Sequence, residues 1–120
     1  MKIIRSKTME TRIIRKAERE YNKSESFIEV YTNSIVSLDK GQFRFMLSKL
    51  EAHGKVLPHK HDEMQLNMIE KGSARMRVGQ TECALKEGDL IVVPGGEIHE
   101  MESETDGEQV SYIEVKWLED

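Results

Sequence analysis

The chain has 120 residues, 38% hydrophobic and 33% charged, with a net charge of −4. That length fits one domain around one core, and so small a charge gives no general pull toward nucleic acid or an anionic membrane surface. The single cysteine, Cys83, leaves no intrachain disulfide to form, which suits a reducing cytoplasm, and no run of about 18 apolar residues offers a membrane-spanning helix.

The N-terminal stretch MKIIRSKTMETR lacks the apolar core of a secretory signal. Residues 1–26 hold eight Lys/Arg against four Asp/Glu, while the remainder holds ten against eighteen. No nucleic-acid-binding motif accompanies the basic segment, so it reads as a solvated arm or one that packs on an acidic partner subunit. Lys2-Ile3-Ile4-Arg5 is echoed by Arg12-Ile13-Ile14-Arg15. The echo is too short for a repeat protein and reads as two short strands, or a leader followed by one; Met9 is an alternative start. Arg15–Tyr21 is rich in helix formers and predicts one or two turns, and Asn22–Ser26 reads as loop. The expected division is an arm over 1–26, taking part in a homodimer interface, and one domain over 27–120.

From Phe27 the pattern becomes that of short strands separated by turn signals. Phe27–Thr32 and Ile35–Leu38 are predicted strands with a turn at Asn33-Ser34, and Asp39-Lys40-Gly41 is a strong turn. Gln42–Leu50 alternates Phe43, Phe45 and Leu47 against Arg44, Met46 and Ser48; His53-Gly54 breaks it. Val56–His61, Met64–Ile69, Ala74–Val78, Glu82–Leu85, Leu90–Val93, Ile98–Met101 and Val110–Trp117 follow, with turns at Gly72, Gly79, Gly88 and Pro94-Gly95-Gly96. Strands at this spacing with glycine at the turns predict an all-β sandwich or barrel.

Three of the four histidines fall in two of these stretches, GKVLPHKHDEMQLNMIEKG (54–72) and GDLIVVPGGEIHEMES (88–103). Residues i and i+2 of a strand face the same side, so His59 and His61 form a ready pair of ligands. Four residues of straight strand span about 13 Å. His61 and Gln65 can therefore meet only if the chain turns near Asp62-Glu63 and brings Gln65 up on the next strand.

Together these stretches resemble the two motifs of the cupin superfamily. His59, His61 and Gly72 stand where the first motif has them, and Gly88, Pro94, Gly96 and His99 match the second. Gln65 replaces the usual glutamate, and Ser103 the usual asparagine. The resemblance implies a double-stranded β-helix, or jelly-roll, barrel of a single-domain cupin. It also implies a divalent transition metal (Zn, Ni, Fe, Mn or Cu) on His59, His61, Gln65 and His99, with Glu63 the rival for the fourth place. Three imidazoles and one oxygen suit these borderline ions. With Gln65 the donors are neutral, so the centre keeps its full positive charge and favours carboxylates and enolates.

Asn67 shares the Gln65 face and is a candidate to contact substrate. Arg75 and Arg77 alternate with Ala74, Met76 and Val78; turned inward, one would clamp a carboxylate, and turned outward, both meet water. Tyr112 is a candidate acid or a core filler, and Glu63 a candidate base or a solvated turn residue. Met46, Met64, Met68, Met76 and Met101 read as adaptable core packing. The function expected is binding of, or action on, a small anionic oxygen-rich ligand, either a sugar acid or an enolisable carbonyl. The enzymatic form would be a metal-dependent lyase or isomerase, with similarity to the small cupins that act on unsaturated uronates. An Fe or Ni dioxygenase and a sensor without turnover are the other readings.

Overall fold

Alternating burial along each segment, rather than any one long apolar run, builds the molecule as strands with an inner and an outer face. The computed structural model describes residues 11–104 and 107–119. Nine strands occur among them: β1 (Asn22–Lys23), β2 (Ile28–Leu38), β3 (Phe43–His59), β4 (Met64–Lys71), β5 (Ala74–Val78), β6 (Thr81–Leu85), β7 (Leu90–Val93), β8 (His99–Ser103) and β9 (Val110–Trp117). Every pairing is antiparallel. The order β6-β5-β8-β3-β9-β4-β7, with β2 also on β3 and β1 on β2, rolls into a nearly closed jelly-roll barrel.

β3 makes this closure possible. Its first half pairs with β2 and β9, and its second half pairs with β8. His53, expected to end a strand, lies instead at a kink with φ +63°. Next to it, a Cβ on Gly54 would lie 2.7 Å from the Glu29 carbonyl oxygen and 2.9 Å from that of Glu51, so no side chain fits there. The strand bends without ending, because the ladder resumes with a new neighbour. Asn33-Ser34 is likewise no turn: β2 runs through it with a register shift between Ser34 and Val36, as a β-bulge does.

The core holds Val30, Leu50, Ile69, Ala74, Met76, Leu85, Val93, Met101, Val110 and Tyr112. Met46 is also buried. Met64 and Met68 are not core residues as expected: Gln65, Asn67 and Ile69 take the buried face of β4, which leaves the methionines on the other face. Cys83 is half-buried, and burial raises its thiol pKa.

Among its described residues, 11–26, the arm makes a short 3-10 turn, Lys16–Glu18, where one or two helical turns were expected. Asn22–Lys23, expected as loop, forms β1 because it pairs with Tyr31 and Thr32 of β2. These arm residues lie along their own barrel. Arg12 donates to the Ile35 carbonyl, Arg19 pairs with Glu70 at 3.1 Å, and the Lys49 ammonium sits 4.8 Å from the centre of the Tyr21 ring. The first Ile-Ile echo, residues 2–5, and Met9 lie outside the described residues. No helix among those described is long and apolar enough to cross a membrane.

Candidate metal centre

Two turns at one end of the barrel deliver the three histidines. The end of β3 carries His59, paired across the ladder with His99 at the start of β8. The turn after β3 carries His61. It is tied to the Pro94-Gly95-Gly96 turn by the Gly96 N–H, which donates to the His61 carbonyl at 2.8 Å. Ligand atoms of His59, His61 and His99 all lie within 4.8 Å of one another. Their ring centroids are 4.3 Å apart for His59–His99, 4.8 Å for His61–His99 and 5.5 Å for His59–His61. Three histidines thus lie close enough to hold one ion.

The same device orients all three rings. His59 Nδ1 lies 2.8 Å from the Leu57 carbonyl, His61 Nδ1 3.0 Å from that of Glu63, and His99 Nδ1 2.9 Å from that of Glu97. A carbonyl only accepts, so each Nδ1 carries the proton and each neutral ring keeps its lone pair on Nε2. Such backbone partners fix ring and tautomer in metal-ligating histidines. His99 Nε2 is buried and has no hydrogen-bond partner. Burial is the main cause that lowers the His59 pKa and brings that of His99 down to about 4. Neither ring needs to shed a proton near neutral pH before it can donate to a metal.

Gln65, 3% exposed on β4, lies beside His61. Its Nε2 donates to Glu114 Oε1 at 3.2 Å and Asn67 Oδ1 at 3.1 Å. A carboxylate only accepts, so the other end of the amide, Oε1, is turned to His61 Nε2 at 3.0 Å. Two acceptors facing each other repel, and the contact becomes favourable when a cation lies against both or the ring takes a second proton. Three imidazole nitrogens and one amide oxygen suit a borderline divalent ion. This orphaned His99 nitrogen and the opposed lone pairs are what such an ion would satisfy.

Glu63, Arg75 and Arg77 lie apart from the cluster, whereas Tyr112 lines the cavity beside it. Glu63 is held by Arg44 at 2.8 and 2.9 Å and gives His61 only its backbone carbonyl. Arg75 and Arg77 take the outer face, because Ala74 and Met76 fill the alternate positions at 0% and 1% exposure. Arg75 pairs with Glu102, and Arg77 with Glu82 at 3.3 Å. A hollow of about 460 Å³ lies on that charged outer face, between Lys55, Arg75, Arg77, Glu82, Glu100 and Glu102. Tyr112, 2% exposed, is core. Burial foremost, and the nearby Glu114 charge, push its phenol pKa far above the usual range, so it stays protonated.

Asn67 does lie inside. A cavity of about 80 Å³ runs from His59, His99 and Gln65 down to Asn67, Glu114 and Lys116, with Phe27 at one wall. The Phe27 ring sits 4.9 Å from that of His59. Glu114, Lys116 and Phe27 were not nominated from the sequence. Parity offered a signal for two of them: Glu114 and Lys116 follow Tyr112 at i+2 and i+4 and share its inward face. Glu114 also places a carboxylate one row below the neutral donors.

A sequence profile of the cupin domain family matches residues 46–116. No curated protein matches the chain. Among solved structures, a predicted oxalate decarboxylase from Thermotoga maritima superposes with a TM-score of 0.75 at 21% identity, covering 90% of this chain and 100% of its own. KdgF from Halomonas sp. gives 0.73 at 14% identity, covering 91% and 96%. The Cnp3 cupin domain of Schizosaccharomyces pombe gives 0.75 at 12% identity, covering 86% and 71%. At these identities the likeness is one of fold.

Proposed function

The chain belongs to the cupin domain family, and on that footing we propose that it holds one divalent transition metal (Zn, Ni, Fe, Mn or Cu) and binds a small anionic, oxygen-rich ligand. His59, His61, His99 and the Gln65 amide oxygen are the proposed ligands. The observation that carries this is the tautomer lock: three Nδ1–H groups spent on backbone carbonyls, with the Nε2 lone pairs left to converge. A divalent ion held by these residues would supply Lewis acidity toward an oxygen of the ligand. The predicted oxalate decarboxylase among the fold relatives carries a small carboxylate in its name, which supports the ligand class by analogy alone. Elemental analysis of protein purified with and without oxygen tests the metal: about one equivalent per chain is expected, and none in either preparation would contradict it.

One observation favours binding without turnover as the second reading. Glu63 is tied to Arg44 away from the cluster, and Tyr112, although it lines the cavity, is held protonated and supplies no base. Glu114 is the carboxylate that an enzymatic reading would have to use. The lone cysteine keeps a cytoplasmic setting within the proposal.

A homodimer is part of the same proposal. The outer face across β3, β9, β4 and β7 pairs Phe45 with Val115, Val115 with Leu66, and Leu66 with Val92. At its edge Leu90 and Val92 are 59% and 54% exposed. An apolar face of this kind marks an association surface. Removing residues 1–16 should convert the dimer to monomer in solution; an unchanged dimer mass would take the arm out of the interface.

A further inference from the structure

The interior cavity holds donors arranged for a ligand that brings acceptors. Their direction follows from the carboxylate at its base. Glu114 accepts from Gln65 Nε2, the same Nε2 meets Asn67 Oδ1, and Asn67 therefore turns its NH2 group away from both. That Nδ2 is buried and has no hydrogen-bond partner. A buried donor without an acceptor is destabilising, and Asn67, 1% exposed, lines the cavity.

Lys116 is the second donor. It lies directly across the ladder from Gln65 on one side and Arg44 on the other. Its side chain is 14% exposed, and its ammonium reaches Glu114 Oε2 at 3.4 Å. That single long contact occupies one of three N–H groups. Glu114 offsets the lysine charge, so a divalent ion at the imidazoles leaves the chamber positive overall, ready for an anion.

The volume bounds the occupant. About 80 Å³ is the liquid volume of about three waters, which suits a carboxylate and a short carbon chain. Phe27, Val30, Met46, Val56, Met76 and Met101 supply apolar lining. A six-carbon sugar acid exceeds that volume and would have to extend out of the cavity.

We propose that this chamber binds a carboxylic acid of roughly two to four carbons bearing an oxygen on the carbon next to the carboxylate, with Asn67 Nδ2 and Lys116 Nζ holding the carboxylate and the second oxygen facing the imidazoles. The proposal presupposes the metal site above. It narrows the ligand from oxygen-rich anions in general to small 2-oxo and 2-hydroxy acids, and it makes Lys116 a specificity-determining residue.

The test separates metal from acid. Cobalt(II) uptake is measured first, on its own, for wild type, Lys116→Met, Asn67→Asp and the double variant Lys116→Met/Glu114→Gln, which keeps the chamber free of an unpaired carboxylate. Pyruvate and glycolate are then titrated calorimetrically into each loaded protein, beside propionate, methyl pyruvate and D-galacturonate. Wild type is expected to bind pyruvate or glycolate in preference to all three controls. Lys116→Met and Asn67→Asp should keep their cobalt and bind the acid about 10- to 100-fold more weakly. The double variant, which also removes the carboxylate that orients Gln65, is compared at cobalt saturation and should show the same loss of acid binding. Cobalt uptake without acid binding, unchanged affinity in the lysine variants, or galacturonate bound as tightly as pyruvate would each overturn the proposal and leave the metal reading standing. Failure of wild type to take up cobalt would end both.

Discussion

Replacing His99 by alanine is expected to lower the affinity for divalent metal by more than the 10- to 100-fold typical of changes to a ligand's supporting partners, while the metal-free barrel stays folded. His99 is 1% exposed and sits between the other two rings. Its Nε2 is the orphaned acceptor of the cluster, and its Nδ1 is already committed to Glu97. The metal-free protein should tolerate the change because two costs oppose each other. Removing the ring leaves a void, but it also removes a buried lone pair that lacked a donor. The net loss of stability should stay within about 2 kcal/mol. Competitive titration against a chromophoric chelator reads the affinity, and melting in chelator reads the fold. Wild-type affinity in His99→Ala would remove this ring from the site.

Gly95→Ala is expected to have the largest effect on stability, about 2–4 kcal/mol, and to weaken metal binding with it. A Cβ at Gly95 would sit 2.2 Å from the Asp62 carbonyl oxygen and 3.1 Å from its carbon. Those atoms are backbone, so one turn must move off the other. The turn that carries His61 would then part from the turn that precedes His99. Gly96 is the internal control. Its φ is +85°, but no atom lies within 4 Å of its would-be Cβ, so Gly96→Ala meets only backbone strain, on the order of 1 kcal/mol. Denaturant unfolding of both variants beside wild type decides it. Gly95→Ala at wild-type stability would mean that the turns are not in contact.

These two glycines illustrate what could be read from the chain. The match to Pro-x-Gly rested on Gly96, whose left-handed φ demands glycine. That Gly95 is also required became visible only when the two turns were stacked, because its neighbour is 33 residues away. Strands such as Ala74–Val78, Leu90–Val93 and Val110–Trp117 were legible to the residue, since alternation and a flanking turn marked both ends. His53-Gly54 was misread because a kink that redirects a strand and a turn that ends one use the same residue types. Strand parity and a turn placed His59, His61 and Gln65 near one another, and His99 joined them only through the resemblance to the second cupin motif; ligand atoms of the three imidazoles lie within 4.8 Å of one another. The facing of Arg75 and Arg77 was open until burial of Ala74 and Met76 fixed the parity. Glu114 and Lys116 share the parity of Tyr112, but parity shows only that they face inward; what they do there depends on their cross-strand partners, Asn67 and Gln65, which lie far off in the chain.

X-ray absorption at the metal edge of the loaded protein tests the central claim most directly. Three imidazoles per ion, with nitrogen at about 2.0–2.1 Å for a zinc-like ion and the remaining positions filled by oxygen, is the predicted result. Fewer than two imidazoles, or a shell made of oxygen alone, would contradict a centre built from His59, His61 and His99.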